Sequence, residues 1–318
     1  MHDTDAAAHH AGTPTAPDTS SVTGSGEKFA ELPTGVTLCH ETFGDPADPT
    51  VLLVMGLGGP MTWWDAAFCR QLAATGRHVV RYDNRDTGRS TSIAARVGKV
   101  DLVRAWVGLR TAAPYSIADL AGDAVALLDH LGVERADVVG VSMGGMIAQT
   151  IAIEHPDRVR SLTSIMSTTG RRTVGWQHPK LLPMLLADRA SGQEAYVEGS
   201  VRLNRVIGSP GFPAPDRRLR AIATETWVRG TDRAGVVRQM LAVLTQPDRT
   251  DALGRVRVPT LVLHGANDVM VHPSGGRATS AAVPGSRFVV VDGMGHDLPE
   301  PLWGLFVDAI DEVARQAG

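Results

Sequence analysis

The pentapeptide Gly140-Val141-Ser142-Met143-Gly144 is the clearest candidate for catalytic chemistry in this chain. It follows an apolar run and opens a helical pattern, and G-x-S-x-G in that context is typical of a sharp turn that presents a nucleophilic serine. The glycines leave room for such a turn, and the N-terminus of the following helix would stabilise an anion formed at the serine. A chance glycine-rich turn is the alternative, but the flanking patterns favour a nucleophile.

A serine nucleophile needs a base, and the base needs a third group that orients it. In a strand–turn–helix setting, the acid and then the histidine follow the serine along the chain. Asp268 follows the predicted strand 260–264, and His296 lies in a glycine-flanked loop after the predicted strand 287–291. Because ligand sites in open α/β sheets lie beyond the carboxyl ends of the strands, these loops are expected to converge. The order therefore predicts a triad of Ser142, Asp268 and His296.

Other titratable residues near these loops are weaker candidates. His264 ends a predicted strand, where a structural hydrogen bond is the simpler expectation. Asp292 and Asp297 are alternative acids, but both lie too close to His296 in sequence to orient its ring easily.

An oxyanion hole in this setting combines the backbone N–H after the nucleophile with one from the loop after an early strand. The first is that of Met143. The second lies in the glycine-rich loop 56–59, where Leu57 is the predicted donor. This loop fits a dinucleotide-binding fingerprint poorly, because Met61 stands where the third glycine would be required.

The elements that must position these residues alternate along the chain. Short, continuous β-branched runs predict strands buried on both faces of a parallel sheet, at 51–54, 78–82, 136–141, 162–165, 260–264 and 287–291. Helical patterns lie between or after them, at 64–74, 116–131, 145–155 and 301–316. This alternation predicts an α/β fold with a doubly wound, mostly parallel sheet.

Two segments depart from this pattern. Residues 1–26 have almost no large apolar side chain, so we expect a disordered N-terminal tail. Residues 167–251 carry helical patterns, at 181–187, 192–204, 216–229 and 235–244, without a convincing strand, which predicts a helical cap inserted over the strand ends. The α/β core is then formed by residues 27–166 and 252–318.

The chain resembles the α/β-hydrolase superfamily from about residue 30 to residue 316. The motifs that carry the resemblance are Val-Met-Gly-Leu-Gly-Gly at 54–59, the Asp-rich turn within 81–90, the serine turn and Gly-Met-Gly-His-Asp-Leu-Pro at 293–299. Among its branches, the chain is most similar to the esterases that include aclacinomycin methylesterase, which also tend to have Met-Gly at the position of Met55-Gly56. The resemblance implies the α/β-hydrolase fold and a structural role for the acids of the 81–90 turn.

The leading hypothesis is a serine hydrolase that cleaves a carboxylic ester through an acyl-enzyme, without a metal or an organic cofactor. The resemblance implies a methylesterase or tailoring esterase acting on an apolar or polyketide-like substrate. The same triad would serve a thioesterase, a lactonase or cyclase, or a cofactor-free perhydrolase, and a non-catalytic ligand-binding protein is the remaining alternative. Candidates for the substrate pocket are Gly56, Trp176, Met184 and Trp227, although residues of this kind also simply pack helices together.

The composition of the chain limits which binding partners and which cellular compartment we expect. The 31 basic and 34 acidic residues give a net charge of −3 without a dense basic run, so we expect no nucleic-acid partner. Cys39 and Cys69 are too few for a disulfide scaffold, which favours a reducing compartment. No uninterrupted apolar stretch reaches 18 residues and the N-terminus lacks a signal-like apolar region, so a cytoplasmic protein without a membrane partner is expected.

Overall fold

The computed structural model describes residues 19, 22–181 and 192–318. Eight strands form one sheet in the order β1-β2-β4-β3-β5-β6-β7-β8, in which β3 to β8 run parallel and β1 and β2 form an antiparallel edge. Their bounds are β1 Lys28–Glu31, β2 Thr37–Phe43, β3 Thr50–Val54, β4 His78–Tyr82, β5 Ala136–Val141, β6 Val159–Ile165, β7 Thr260–Gly265 and β8 Arg287–Val291.

Helices connect the strands and cover the sheet. They are α1 Ala66–Ala73, α2 Lys99–Trp106, α3 Ile117–His130, α4 Met143–Glu154, α5 Gln193–Ile207, α6 Asp216–Arg229, α7 Arg233–Thr245, α8 Thr250–Leu253, α9 Ser274–Ala282 and α10 Trp303–Arg315. Ser116 begins α3 as predicted, since its side chain accepts from the Asp119 N–H while the Asp119 carboxylate accepts from the Ser116 N–H. Within the described part of the chain, no helix combines the length and the apolar character that crossing a bilayer requires.

Buried residues of β3 alternate between two apolar cores. Leu52 and Val54 pack on one face of the sheet, which α3 and α4 cover, while Val51 and Leu53 pack on the other, which α1 and α10 cover. Burial on both faces favours consecutive apolar residues, as in residues 51–54 of β3, although β4, β5 and β6 also bury polar side chains such as Arg81, Asp137 and Thr163. The predicted doubly wound, mostly parallel α/β fold is confirmed.

Five elements differ from the sequence-based expectation. The antiparallel strands β1 and β2 and the helices α2, α8 and α9 are present but were not predicted. Backbone contacts also begin before the predicted end of the tail at residue 26. Gly24 forms a bridge to Phe43, and the Ser25 N–H donates to the Thr42 carbonyl at 2.8 Å. These bonds tie residues 24–25 to the edge of β2.

The segment between β6 and β7, where the cap is predicted, contains helices α5 to α8. Of the predicted helix 181–187, only Leu181 lies within the described residues, at the end of a short 3-10 turn. Helix α5 packs against α6, and α7 packs against α2. Two buried ion pairs join the segment to the turn after β4, one between Arg229 and Asp83 and the other between Arg238 and Asp86.

Candidate active site

Ser142 lies at a strained turn between β5 and α4. Its backbone has φ 57° and ψ −118°, a conformation that residues other than glycine rarely adopt. Glycine is required on both sides of Ser142, because the neighbouring backbone comes very close there. A Cβ atom at Gly140 would overlap the carbonyl of Gly144, and one at Gly144 would overlap the carbonyl oxygen of Val54. Strain of this kind concentrates at functional sites.

His296 and Asp268 form a hydrogen-bonded pair in the loops after β8 and β7. Nδ1 of His296 lies 2.7 Å from Oδ2 of Asp268. Because a carboxylate can only accept, Nδ1 carries the proton and Nε2 of His296 is left as the acceptor. Asp268 is 3% exposed, and its other oxygen accepts the N–H groups of Met270 and Val271 at 2.8 and 2.9 Å. The pair has the geometry of an oriented base.

The pKa of Asp268 is held well below its ordinary value. Burial raises this pKa, but the charge of His296 and the hydrogen bonds from His264 and His296 lower it by more. Asp268 therefore stays ionised and can stabilise a positive charge on His296.

The competing residues are occupied elsewhere. His264 is fully buried, and its Nε2 lies 2.8 Å from the Val271 carbonyl oxygen and 3.4 Å from Oδ2 of Asp268. His264 thus supports the position of Asp268, which agrees with the structural role expected for this histidine. Asp297 accepts a hydrogen bond from the Ser209 hydroxyl, and burial raises the pKa of Asp297.

The loop that carries His296 is also held from the segment between β6 and β7. The His296 N–H donates to the Ile207 carbonyl at the end of α5, at 2.7 Å. A Cβ atom at Gly295 would overlap the carbonyl oxygens of Ile207 and Gly208, so glycine is required for this close approach. Sequence reasoning placed the glycine beside the histidine but did not identify its neighbours on α5.

Two backbone N–H groups near the serine turn are free to bind a ligand. Among the described residues, neither the Leu57 N–H nor the Met143 N–H donates a hydrogen bond. Backbone N–H groups away from water are normally paired, so two free ones at the predicted positions suit an oxyanion hole. Gly56 lies beside Ser142, since a Cβ atom there would be 3.2 Å from Cβ and 3.8 Å from Oγ of Ser142.

The candidate pocket residues lie in different surroundings. Trp176 is 43% exposed and stacks on His272 with ring centroids 4.2 Å apart. It lines a cavity of about 530 Å³ that Asp268 also borders. Trp227 instead packs against Tyr196 at 5.5 Å and does not line this cavity, and Met184 lies outside the described residues.

Ser142 and His296 are absent from the described residues that line this cavity, so it lies beside Asp268 rather than above the serine turn. Polar residues in its wall include Asn204, Ser209, Asn267 and Asp297. Asn204 lies in α5 and Ser209 follows it, so the placement of these two depends on helix packing that the sequence pattern does not specify.

Sequence reasoning also missed a polar contact at the glycine-rich loop. Gln239, on α7, is completely buried and accepts a hydrogen bond from the Gly58 N–H at 2.8 Å. A glutamine inside a helical pattern carries no signal that it faces a loop some 180 residues earlier in the chain, and only the packing of α7 reveals it.

Several known proteins are similar to this chain in sequence, and several solved structures are similar to it in fold. The rhodomycin D methylesterase DauP of Streptomyces sp. (strain C5) is 32% identical over 295 residues, which cover 84% of this chain and 92% of that protein. The rhodomycin D methylesterase DnrP of Streptomyces peucetius is 31% identical over 293 residues, which cover 84% and 92%. The crystal structure of the enol-lactonase from Burkholderia xenovorans LB400 superposes with a TM-score of 0.71 at 23% identity, covering 91% of this chain and 100% of that one.

The model of the α/β hydrolase fold family matches residues 49–300, a span that runs from β3 to the start of the turn before α10. It includes the serine turn, both loops of the acid–histidine pair and the segment between β6 and β7. The family resemblance that the motifs carry is thus confirmed over most of the chain. The chain belongs to the α/β-hydrolase family.

Proposed function

We propose that the protein is a serine hydrolase that cleaves a carboxylic ester with Ser142 as nucleophile, His296 as base and Asp268 as the acid that orients it. Oγ of Ser142 attacks the ester carbonyl carbon, and its proton passes to Nε2 of His296. The Leu57 and Met143 amides stabilise the resulting oxyanion. Collapse of this intermediate releases the alcohol, which takes the proton from His296. Water, activated in the same way, then frees the acid from Ser142.

One observation carries this proposal. The His296 and Asp268 side chains are joined by a 2.7 Å hydrogen bond in loops at the carboxyl edge of the sheet, and Ser142 occupies a strained turn at the same edge. The free N–H groups of Leu57 and Met143 support the proposed oxyanion hole. A binding protein would have no need of this strain or of an ionised acid behind a histidine.

For the substrate, we propose a methyl ester on an apolar, polyketide-like acid. The two methylesterases that share about a third of their residues with this chain support the methyl group. Residues 167–251 would act as the cap. The candidate pocket residues are Gly56, beside Ser142, and Trp176, Met184 and Trp227 in the cap. The same triad could also hydrolyse thioesters or lactones or form peracids, so the test compares these reactions with methyl ester hydrolysis.

The test pairs activity with covalent labelling. Wild-type protein is expected to hydrolyse methyl esters faster than lactones or thioesters of similar size and to react with a fluorophosphonate at one serine. Ser142→Ala should lower kcat by about 10³-fold or more and abolish labelling. Ser280→Ala is the matched control, because this hydroxyl on α9 bonds to Ser286 far from the site. Full turnover by a folded Ser142→Ala protein would refute the mechanism.

A further inference from the structure

We propose, on the basis of the function proposed above, that Gln239 is a positioning residue for the oxyanion hole. Gln239 lies on α7, within the segment predicted as the cap, and does not touch the serine turn. Its side-chain amide instead bonds to the loop that carries Leu57. Through this contact, the cap helix would set the geometry of a donor that acts on the reacting oxygen.

All polar atoms of the Gln239 amide are engaged. Oε1 accepts from the Gly58 N–H at 2.8 Å, and Nε2 donates to the Arg85 carbonyl and to Oγ1 of Thr87, each at 2.8 Å. These partners fix the orientation of the amide, because an N–H needs the oxygen and a carbonyl needs the nitrogen. Gln239 has no exposed surface, so water cannot replace any of these bonds.

The bonded loop is a tight turn. The Gly59 N–H donates to the Gly56 carbonyl at 3.2 Å, and Gly58 has φ +67°. A turn closed in this way with a positive φ at its third residue is of type II, and rotation of its central peptide, which joins Leu57 to Gly58, would give type I. Oε1 of Gln239 bonds to the N–H of that central peptide. The contact therefore opposes this rotation and fixes the peptide next to the one that carries the Leu57 N–H.

Within the described residues, no other side chain forms a hydrogen bond to the backbone of this turn. Asn84 bonds to the Met55 carbonyl before it, and Asp83 accepts from the Met61 N–H after it, at 3.0 and 2.7 Å. Between these anchors, Gln239 is the only side chain bonded to the backbone of residues 56–59. Val236, one helical turn earlier on α7, packs directly on Gly58. Helix α7 thus supplies both a side-chain hydrogen bond and a packing contact at the apex of the turn, while the Leu57 side chain packs on the core.

Helix α7 is itself fixed in place. Arg238 donates through Nε and Nη2 to Asp86, at 2.8 and 2.7 Å, and both side chains are buried. Displacement of α7 would break this pair and withdraw Gln239 from Gly58. An oxyanion donor must lie within about 3 Å of the developing charge, so a shift of a few tenths of an ångström weakens it. The hole is complete only when α7 is seated.

The test compares Gln239→Met, which keeps the length of the side chain and removes its acceptor, with Gln239→Glu, which keeps the acceptor. A p-nitrophenyl ester reports kcat and KM, and an alkyl trifluoromethyl ketone, which forms a tetrahedral oxyanion on serine, reports affinity for that state. Gln239→Met should lower kcat by about 10- to 100-fold, leave KM within about twofold and weaken ketone binding by the same factor as kcat. Gln239→Glu keeps the acceptor for the Gly58 N–H but loses the donors to Arg85 and Thr87, so its ketone affinity should fall between those of the wild-type protein and Gln239→Met.

Two variants separate positioning from folding. Gln149→Leu removes another fully buried glutamine amide, which contacts Ser164 and Arg249, and should lower the Tm while leaving the ratio of ketone affinity to KM unchanged. Thr87→Val removes one anchor of the Gln239 amide and should give a several-fold loss in kcat and ketone affinity, even if Gln239→Met does not fold.

The outcomes distinguish the two proposals. Wild-type protein that neither hydrolyses the ester nor binds the ketone would overturn the proposed function and, with it, this inference. Active wild-type protein with unchanged kcat and ketone affinity in Gln239→Met, or in Thr87→Val where Gln239→Met does not fold, would overturn the role of Gln239 alone.

Discussion

The glycines around Ser142 differ in how much space surrounds them, and this difference separates stability from activity. A methyl group at Gly144 would overlap the backbone of β3, which cannot move aside, whereas one at Gly56 would meet Cβ of Ser142 at 3.2 Å. Gly144→Ala is therefore expected to destabilise the fold by about 3 kcal/mol or more. Gly56→Ala should fold but lower kcat/KM by about 10- to 100-fold, because it displaces the nucleophile. Urea unfolding and ester kinetics on both variants check this, and the reverse order of effects would contradict it.

Asp268 should make both activity and stability depend on its charge. Asp268→Asn keeps the shape of the side chain but removes its charge and disturbs the histidine tautomer, so kcat should fall by about 10⁴-fold. The pKa of Asp268 is lowered in the folded state, which means that ionisation stabilises the fold. This contribution is present above the unfolded value of 3.8 and is lost as the pH falls through the lower folded value.

The corresponding measurement is Tm against pH for wild-type protein and Asp268→Asn. The advantage of the wild-type protein should be constant near neutrality and shrink as the pH falls below about 4. A difference in Tm that stays the same from pH 7 to pH 3 would show that the charge of Asp268 does not stabilise the fold.

At the scale of elements, α6 is attached to the core through a buried charge. Arg229, at the end of α6, donates to Oδ2 of Asp83 at 2.7 Å, and the Asp83 side chain is completely buried. Arg229→Met would leave this carboxylate without its cation, which should cost about 3–5 kcal/mol of unfolding free energy. Arg205→Ala is the control, because the Arg205–Asp216 pair is more than half exposed and should contribute about 1 kcal/mol or less. Similar losses in chemical denaturation of the two variants would contradict this assignment.

How far these elements could be predicted depends on what their side chains contact. The central strands were predicted because burial on both faces favours consecutive β-branched and other apolar residues, most completely in β3. Helix α2 was missed because Val100, Val103 and Trp106 are 70%, 61% and 63% exposed, so its apolar residues do not mark a buried face. Strand β2 was missed because it carries polar side chains such as His40 within the sheet edge.

Within the site, the serine turn, the acid and the histidine could be predicted because each follows a strand and their order is restrictive. The contacts of Gln239 and Arg229 could not, because they join elements about 150 to 180 residues apart along the chain. Such contacts depend on how α6 and α7 settle on the core, and periodicity within a helix does not encode that arrangement. The bond from Ile207 to the His296 loop is of the same kind.

For the whole molecule, two N-terminal truncations should differ sharply. Removal of residues 1–18 is expected to leave the Tm unchanged, since this composition predicts a tail without a core. Removal of residues 1–27 also deletes the Gly24 bridge to Phe43 and the Glu27 carboxylate, which pairs with Arg89 and Arg229. That truncation should lower the Tm by several degrees in a thermal scan. Equal melting of both truncations would mean that Glu27 contributes nothing to the edge of the sheet.

The buried ion pair between Arg77 and Asp311 can form only late in the synthesis of the chain. Nη2 of Arg77 and Oδ1 of Asp311 lie 2.9 Å apart, yet the two residues are separated by 234 positions in the chain. At ribosomal rates of about 5–20 residues per second, Arg77 is made roughly 10–50 s before its partner. During that interval α10 does not exist, so only α1, of the two helices that cover it, is available to the face of β3 that carries Val51 and Leu53. Chaperone binding to this face should therefore end only when the last helix has left the ribosome.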